Sequence, residues 1–289
     1  MEVAVISGKG GTGKSSVVAS LASISKNILL ADCDVDAANQ YLLFQPNHSE
    51  EEVFVSGQKA EINYDVCTQC GKCIDYCEFG AISEVNGRVE ISEISCDGCR
   101  LCERICPVNA ISMLDNDKSR LYSGTFRYGH MVYGRLAPGE ENSGRLVSLV
   151  REKAKEIAKE NKYEVILYDG PPGIGCPVIS TITGIDKVII VTEPTLSGKH
   201  DLERALETVF HFRIYAMVVI NKYDLNAEMT EEIKQYCATM NVPVVALLPY
   251  EPVVTEAMVN GKSYVEYAPE SIVSKNTLNI WKNIQNEIK

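Results

Sequence analysis

Eight cysteines fall in two runs, Cys67-x2-Cys70-x2-Cys73-x3-Cys77 and Cys96-x2-Cys99-x2-Cys102-x3-Cys106, the second followed by Pro107. Thiolates at this spacing bind iron. Three from one run wrap one face of a [4Fe–4S] cubane, and the fourth comes from the other run. One cluster is therefore expected on Cys67, Cys70, Cys73 and Cys106, and a second on Cys96, Cys99, Cys102 and Cys77. Zinc, the competing metal, prefers paired C-x2-C knuckles set further apart. A purely structural role for the clusters stays open. Glu78 departs from the pattern, standing where the second run has its proline.

The second chemistry sits at the start of the chain. Gly8-Lys9-Gly10-Gly11-Thr12-Gly13-Lys14-Ser15 matches G-x4-G-K-[ST]. Glycines let backbone N–H groups turn inward around phosphates, and the following helix N-terminus adds positive partial charge. Lys14 is expected to reach the β- and γ-phosphates and the Ser15 hydroxyl to bind Mg2+. With Ser16, these residues form the candidate nucleotide set. Asp169 ends an apolar run and opens Asp169-Gly170-Pro171-Pro172-Gly173. An aspartate after a buried strand is placed for a Mg2+-bound water. Asp34 follows another apolar run, with Asp32 and Asp36 close by in sequence.

Elements to carry these groups are readable. Residues 2–7 read as a strand, Lys14 to about Ser25 as a helix, and Asn27–Ala31 as a strand, a βαβ unit. A helix resumes at Leu146, and Glu164–Tyr168 reads as a strand ending at Asp169. Further strands are expected at 187–192, 216–220 and 244–248, with helices near 198–211, 227–240 and 271–287. Strands alternating with helices imply an α/β fold, a mostly parallel sheet covered on both faces. The cysteine runs repeat at a spacing of 29 residues, with Ala81-Ile82-Ser83 matching Ala110-Ile111-Ser112. Val85-Asn86-Gly87-Arg88-Val89 signals a hairpin. Three domain segments follow: 1–58 and 117–289 for the nucleotide-binding core, 59–116 for a smaller α+β insert. Residues 121–140, rich in glycine and aromatics, read as short extended segments.

The 289 residues carry a net charge of −11, and two anionic clusters would make the chain more acidic. Such a surface repels phosphate backbones, so no nucleic acid is expected. Eleven cysteines and an N-terminus without a basic n-region point to a reducing, cytoplasmic setting. Cys33 and Cys237 read as core thiols. Leu278, Trp281, Ile284 and Ile288 have helical spacing; packing on the sheet is expected, rather than a membrane surface.

The phosphate loop with Lys9, the D-x-D at 32–34, the D-x-P-P-G at 169–173 and Asn221-Lys222 resemble the MinD/Mrp superfamily of P-loop ATPases, here with an inserted two-cluster ferredoxin domain. The resemblance implies a deviant Walker A loop and a dimer with nucleotide sandwiched between subunits. In it Lys9 would reach the partner's nucleotide, Asp34 would orient the attacking water, and Asp169 would serve as the Walker B carboxylate. The Gly173 N–H would sense the γ-phosphate, and Asn221, with Lys222, would contact adenine. Asp224 keeps a guanine reading alive, but the other motifs favour ATP. Cys176 has the spacing from Asp169 of a cluster-ligating cysteine in the nitrogenase iron protein, so an interface metal or cluster ligand is one reading and a plain buried cysteine the other.

Three functions fit. An ATP-binding and hydrolysing switch could use its clusters in assembly or delivery of iron–sulfur or other metal cofactors. It could pass electrons to a partner enzyme under ATP control. It could be a positioning ATPase with structural or redox-sensing clusters. The expected partners are a second copy or a similar ATPase, and a redox or metal-cofactor protein.

Overall fold

The computed structural model describes residues 1–25, 27–140 and 143–286. In chain order the elements are β1 (Glu2–Ser7), α1 (Lys14–Ile24), β2 (Ile28–Asp32), α2 (Gln40–Phe44), β3 (Asn47–Phe54) and β4 (Gly57–Ile62). Next come α3 (Lys72–Asp75), β5 (Ile82–Val85), β6 (Arg88–Ile91), α4 (Leu101–Ile105), β7 (Ile111–Asn116), β8 (Ser119–Phe126) and β9 (Gly129–Arg135). Then follow α5 (Ser143–Asn161), β10 (Val165–Pro172), α6 (Cys176–Ile182), β11 (Lys187–Thr192), α7 (Leu196–His211) and β12 (Tyr215–Asn221). The chain closes with α8 (Ala227–Thr239), β13 (Val244–Leu248), α9 (Val253–Val259), α10 (Tyr264–Tyr267) and α11 (Ile272–Gln285).

The chain divides into two compact units. The larger holds Met1–Glu51, Leu121–Gly134 and the chain from Ser143 on. Its nine-stranded sheet has the order β13-β12-β11-β1-β10-β2-β9-β8-β3. From β13 to β9 every pairing is parallel. Parallel strands buried on both faces read as continuous apolar runs, and Val3–Ile6, Ile28–Ala31 and Val188–Val191 are fully or almost fully buried. β1 lies centrally between β11 and β10, and the register sets Asp169 beside both Val5 and Asp32. The phosphate loop, Asp32 and Asp169 thus meet at the carboxyl edge of the sheet, where ligands of open α/β folds bind.

Several expectations are refined. β10 runs on through Asp169 to Pro172, because β1 continues to pair with it as far as Ser7. The extended segments of 121–140 are β8 and β9, full members of the sheet. Their aromatics have a packing role: Tyr133 stacks on Tyr41 and Tyr122 at 5.0 and 4.9 Å and bonds His48 at 2.7 Å. α11 packs through Val273, Thr277, Ile280 and Ile284, while Leu278 is exposed. The buried stripe is thus offset from the one expected at Leu278; Ile288 lies outside the described residues. Among the described residues no helix is long and apolar enough to cross a membrane.

The smaller unit comprises Glu52–Arg120 with a return stretch from Arg135. β4 pairs antiparallel with β7, and β5 with β6. The β5–β6 turn is Asn86-Gly87 with φ of 52° and 79°, the double left-handed geometry that a two-residue hairpin requires. A small core of Ile62, Ile82, Val89 and Ile111 carries five of the eight paired-run cysteines, Cys67, Cys73, Cys77, Cys102 and Cys106, at its margin. The sequence repeat is a backbone repeat. Left-handed residues recur in register at Gln69 and Gly98, Gly71 and Arg100, Gly80 and Asn109. The bonds Asn63 N–H to Ala110 C=O and Ser92 N–H to Ala81 C=O are counterparts, each 2.7 Å.

Candidate functional site

The nucleotide site is built around a buried ammonium. Lys14, the first residue of α1, is 6% exposed. Its Nζ lies 2.5 Å from Asp169 Oδ1 and 3.9 Å from Asp34 Oδ2. Burial alone would lower its pKa, but contact with Asp169, backed by Asp34 and Asp32, holds it above the usual lysine value. Burial raises Asp34 despite the pull of Lys14. Asp32 is raised to about 7 by burial and by repulsion from Asp169. Three carboxylates therefore share one lysine, a cluster short of positive charge.

Asp32 has a structural task. Its carboxylate accepts the backbone N–H groups of Asp34, Asn39 and Gln40 at 3.1, 3.0 and 3.1 Å, which folds the loop bearing Asp34 back over the site. Asp36 is exposed. A residue that no motif marks, Gln40, enters here. Its Nε2 donates to Asp169 Oδ2 at 2.6 Å and to the Ser15 carbonyl at 2.9 Å. The available signal was a polar first residue on the otherwise apolar helix Gln40–Phe44.

The phosphate loop has the required backbone. Gly11 and Gly13 have φ of 82° and 87°. A Cβ on Gly13 would lie 2.3 Å from Asn221 Nδ2. The buried Thr12 hydroxyl has no hydrogen-bond partner among the described residues. These glycines and this orphaned hydroxyl fit a bound phosphate chain. The Ser15 hydroxyl, Asp34 and Asp169 are a hard oxygen donor set that fits Mg2+. Asn221 donates to the Thr12 carbonyl at 2.8 Å. It lines a groove with Gly11, Gly13, Pro249 and Tyr250. Asp224 accepts the Tyr250 backbone N–H at 2.8 Å, so one of its oxygens is already committed within the protein.

Two expected residues are engaged within their own chain. Lys9 Nζ lies 2.7 Å from Glu193 Oε1 and 2.9 Å from Ser197 Oγ. Lys222 Nζ meets the other Glu193 oxygen at 3.2 Å and the Gly11 carbonyl at 3.2 Å. Glu193 thus clasps both lysines beside the phosphate loop. The Gly173 N–H donates to the Ser7 carbonyl at 2.8 Å, so it is not free in this state.

In the smaller unit, Cys67, Cys70, Cys73 and Cys106 line one small cavity. Cys77, Cys96, Cys99 and Cys102 line another. Each fourth cysteine accepts a backbone N–H: Ala81 to Cys77 Sγ at 3.3 Å and Ala110 to Cys106 Sγ at 3.2 Å. Burial pushes Cys102 up to about 11, with Cys96 and Cys99 adding repulsion. Four sulfurs around one cavity fit a [4Fe–4S] cluster. Among the described residues no group of three His, Cys, Asp or Glu is set to hold a single metal ion.

Cys176 begins α6 and is exposed, which overturns the reading of a buried cysteine. Cys33 and Cys237 are buried, and burial pushes Cys237 up to about 11.

A nucleotide-binding α/β fold with this site defines a P-loop ATPase of the MinD/ParA type. Residues 3–264 match CbiA, the CobQ/CobB/MinD/ParA nucleotide binding domain, and the chain belongs to that family. It is 41% identical over 229 residues to the uncharacterized protein MJ0578 of Methanocaldococcus jannaschii, spanning 78% of this chain and 79% of that one. The fold is similar to that of the septum site-determining protein MinD complexed with Mg-ADP from Pyrococcus horikoshii, with a TM-score of 0.60, 19% identity, and coverage of 99% and 96% of the two chains. A stretch of 58 residues is 38% identical to the pyruvate synthase subunit PorD of Methanocaldococcus jannaschii, covering 20% of this chain and 67% of that subunit.

Proposed function

We propose that this protein is an ATP-hydrolysing, dimeric switch that carries two [4Fe–4S] clusters and couples ATP to the assembly or delivery of iron–sulfur or other metal cofactors. The observation that carries the reading is the crossed sorting of eight cysteines into two four-sulfur cavities, on the same polypeptide as a buried Lys14–Asp169 phosphate site. When bound, each cluster would supply one-electron storage.

The chain's own residues do the rest. Lys14 exchanges Asp169 for the β- and γ-phosphates. The Ser15 hydroxyl and Asp169 would hold Mg2+, which would neutralise charge on the phosphates. Asp34 orients the attacking water. Lys9, released from Glu193, adds positive charge to the transferring phosphoryl group of a partner's nucleotide. Asn221 and the adjoining groove receive adenine. The segment similar to a pyruvate synthase subunit supports a second reading, ATP-controlled electron transfer to a partner enzyme.

Metal and sulfide counting on anaerobically purified protein tests the cluster assignment. About eight irons per chain are expected. Replacing Cys70 or Cys99 with alanine should each remove about half. Iron-free protein, or zinc in its place, would end this reading. Lys14→Ala should abolish ATP hydrolysis while leaving the iron content intact.

A further inference from the structure

Asp169 is fully buried, and each carboxylate oxygen has one side-chain partner. Lys14 holds Oδ1 at 2.5 Å, and the Gln40 amide holds Oδ2 at 2.6 Å. The two partners differ in what nucleotide does to them. Lys14 is the residue that a phosphate chain recruits, so its contact with Asp169 is given up on binding. Gln40 has no such alternative. Its second amide hydrogen is fixed on the Ser15 carbonyl at 2.9 Å, and its backbone N–H is fixed on Asp32 Oδ2 at 3.1 Å.

We infer that Gln40 is a positioning residue for the metal–nucleotide site, keeping Asp169 aimed at the position of Ser15 after Lys14 has moved to the phosphates. Without it, Asp169 would lose both side-chain partners and be free to rotate about its last bond. A planar amide that donates two bonds in fixed directions suits this role. It ties the middle of β10 to the start of α1, the two elements that carry Asp169 and Ser15. The same residue begins α2, at the end of the loop that carries Asp34. Partners that orient a metal-site ligand commonly change metal affinity about 10-fold when removed.

The inference rests on Asp169 facing the nucleotide's Mg2+, and the test separates the two. Affinity for a fluorescent ATP analogue is measured with Mg2+ and with a chelator, in wild type, Gln40→Met, Gln40→Asn and Asp169→Asn. Gln40→Met should reduce the strengthening by Mg2+ about 10-fold while leaving chelator-state affinity within about twofold. Gln40→Asn, one methylene shorter, reaches Asp169 or the Ser15 carbonyl but not both, and should fall between. It also serves as the test if the methionine variant does not fold. A general loss of structure would weaken both states equally and would count against the inference. Wild-type Mg2+ dependence in either folded Gln40 variant would overturn it. If Asp169→Asn also leaves Mg2+ dependence unchanged, the assignment of Asp169 itself fails.

Discussion

Glu193 sits between two lysines that flank the phosphate loop, 2.7 Å from Lys9 and 3.2 Å from Lys222. Burial opposes its charge, but hydrogen bonds from both lysines keep its carboxyl below the usual range. The carboxylate lowers the positive potential that an incoming triphosphate meets. Glu193→Gln is therefore expected to tighten ATP binding about threefold in dilute buffer, with the gain fading near about 0.5 M salt as screening takes over. Calorimetric titration at the two salt levels would show it; equal affinities at low salt would mean that Glu193 only shapes the loop. The lysines were legible as motif members. Their shared acidic partner was not, because Glu193 lies some 180 residues from Lys9 and no local pattern announces a long-range ion pair. Gln40 escaped for the same reason: its importance lies in which distant oxygens it meets.

At the scale of elements, Glu266 ties α10 to the turn between β8 and β9. It accepts from Arg127 Nε at 2.7 Å, from the Tyr128 hydroxyl at 2.6 Å and from the Ser263 N–H at 2.6 Å. Burial alone would raise its pKa, but these donors hold it at about 2. A carboxyl lowered on folding contributes stability that is complete above about pH 5 and is lost as the pH falls toward 2. Glu266→Gln should remove about 1 kcal/mol at pH 6 and almost nothing near pH 2.5, allowing for its partial exposure. Urea titrations across that range check this; a difference independent of pH would contradict it. Most sheet elements were legible because buried parallel strands are continuous apolar runs between turn signals. β3 was not: its exposed residues Asn47–Val53 carry no apolar alternation, and it is held at the sheet edge by its neighbour. The short helices α9 and α10 were hidden too, each too short to display a helical period.

At the scale of the molecule, two cores share one chain. A nucleotide-binding sheet surrounds Lys14 and Asp169, and a duplicated cysteine unit is centred on Ile62, Ile82, Val89 and Ile111. The duplication was legible because a repeat needs only sequence to be seen. Its backbone counterpart, left-handed residues recurring 29 positions apart, includes Gln69 opposite Gly98 and Gly71 opposite Arg100. Sequence identity at those positions had lapsed while the conformation persisted. The proposal that ATP and the clusters act together is tested most directly by one measurement: EPR-monitored redox titration of anaerobic protein, without nucleotide, with MgATP, and with MgATP in the Lys14→Ala variant. The account predicts two [4Fe–4S] signals whose midpoint potentials shift by about 30 mV or more with MgATP in wild type, a change of at least threefold in the one-electron equilibrium, and do not shift in the variant. Cluster signals present but unmoved by MgATP in wild type would contradict it.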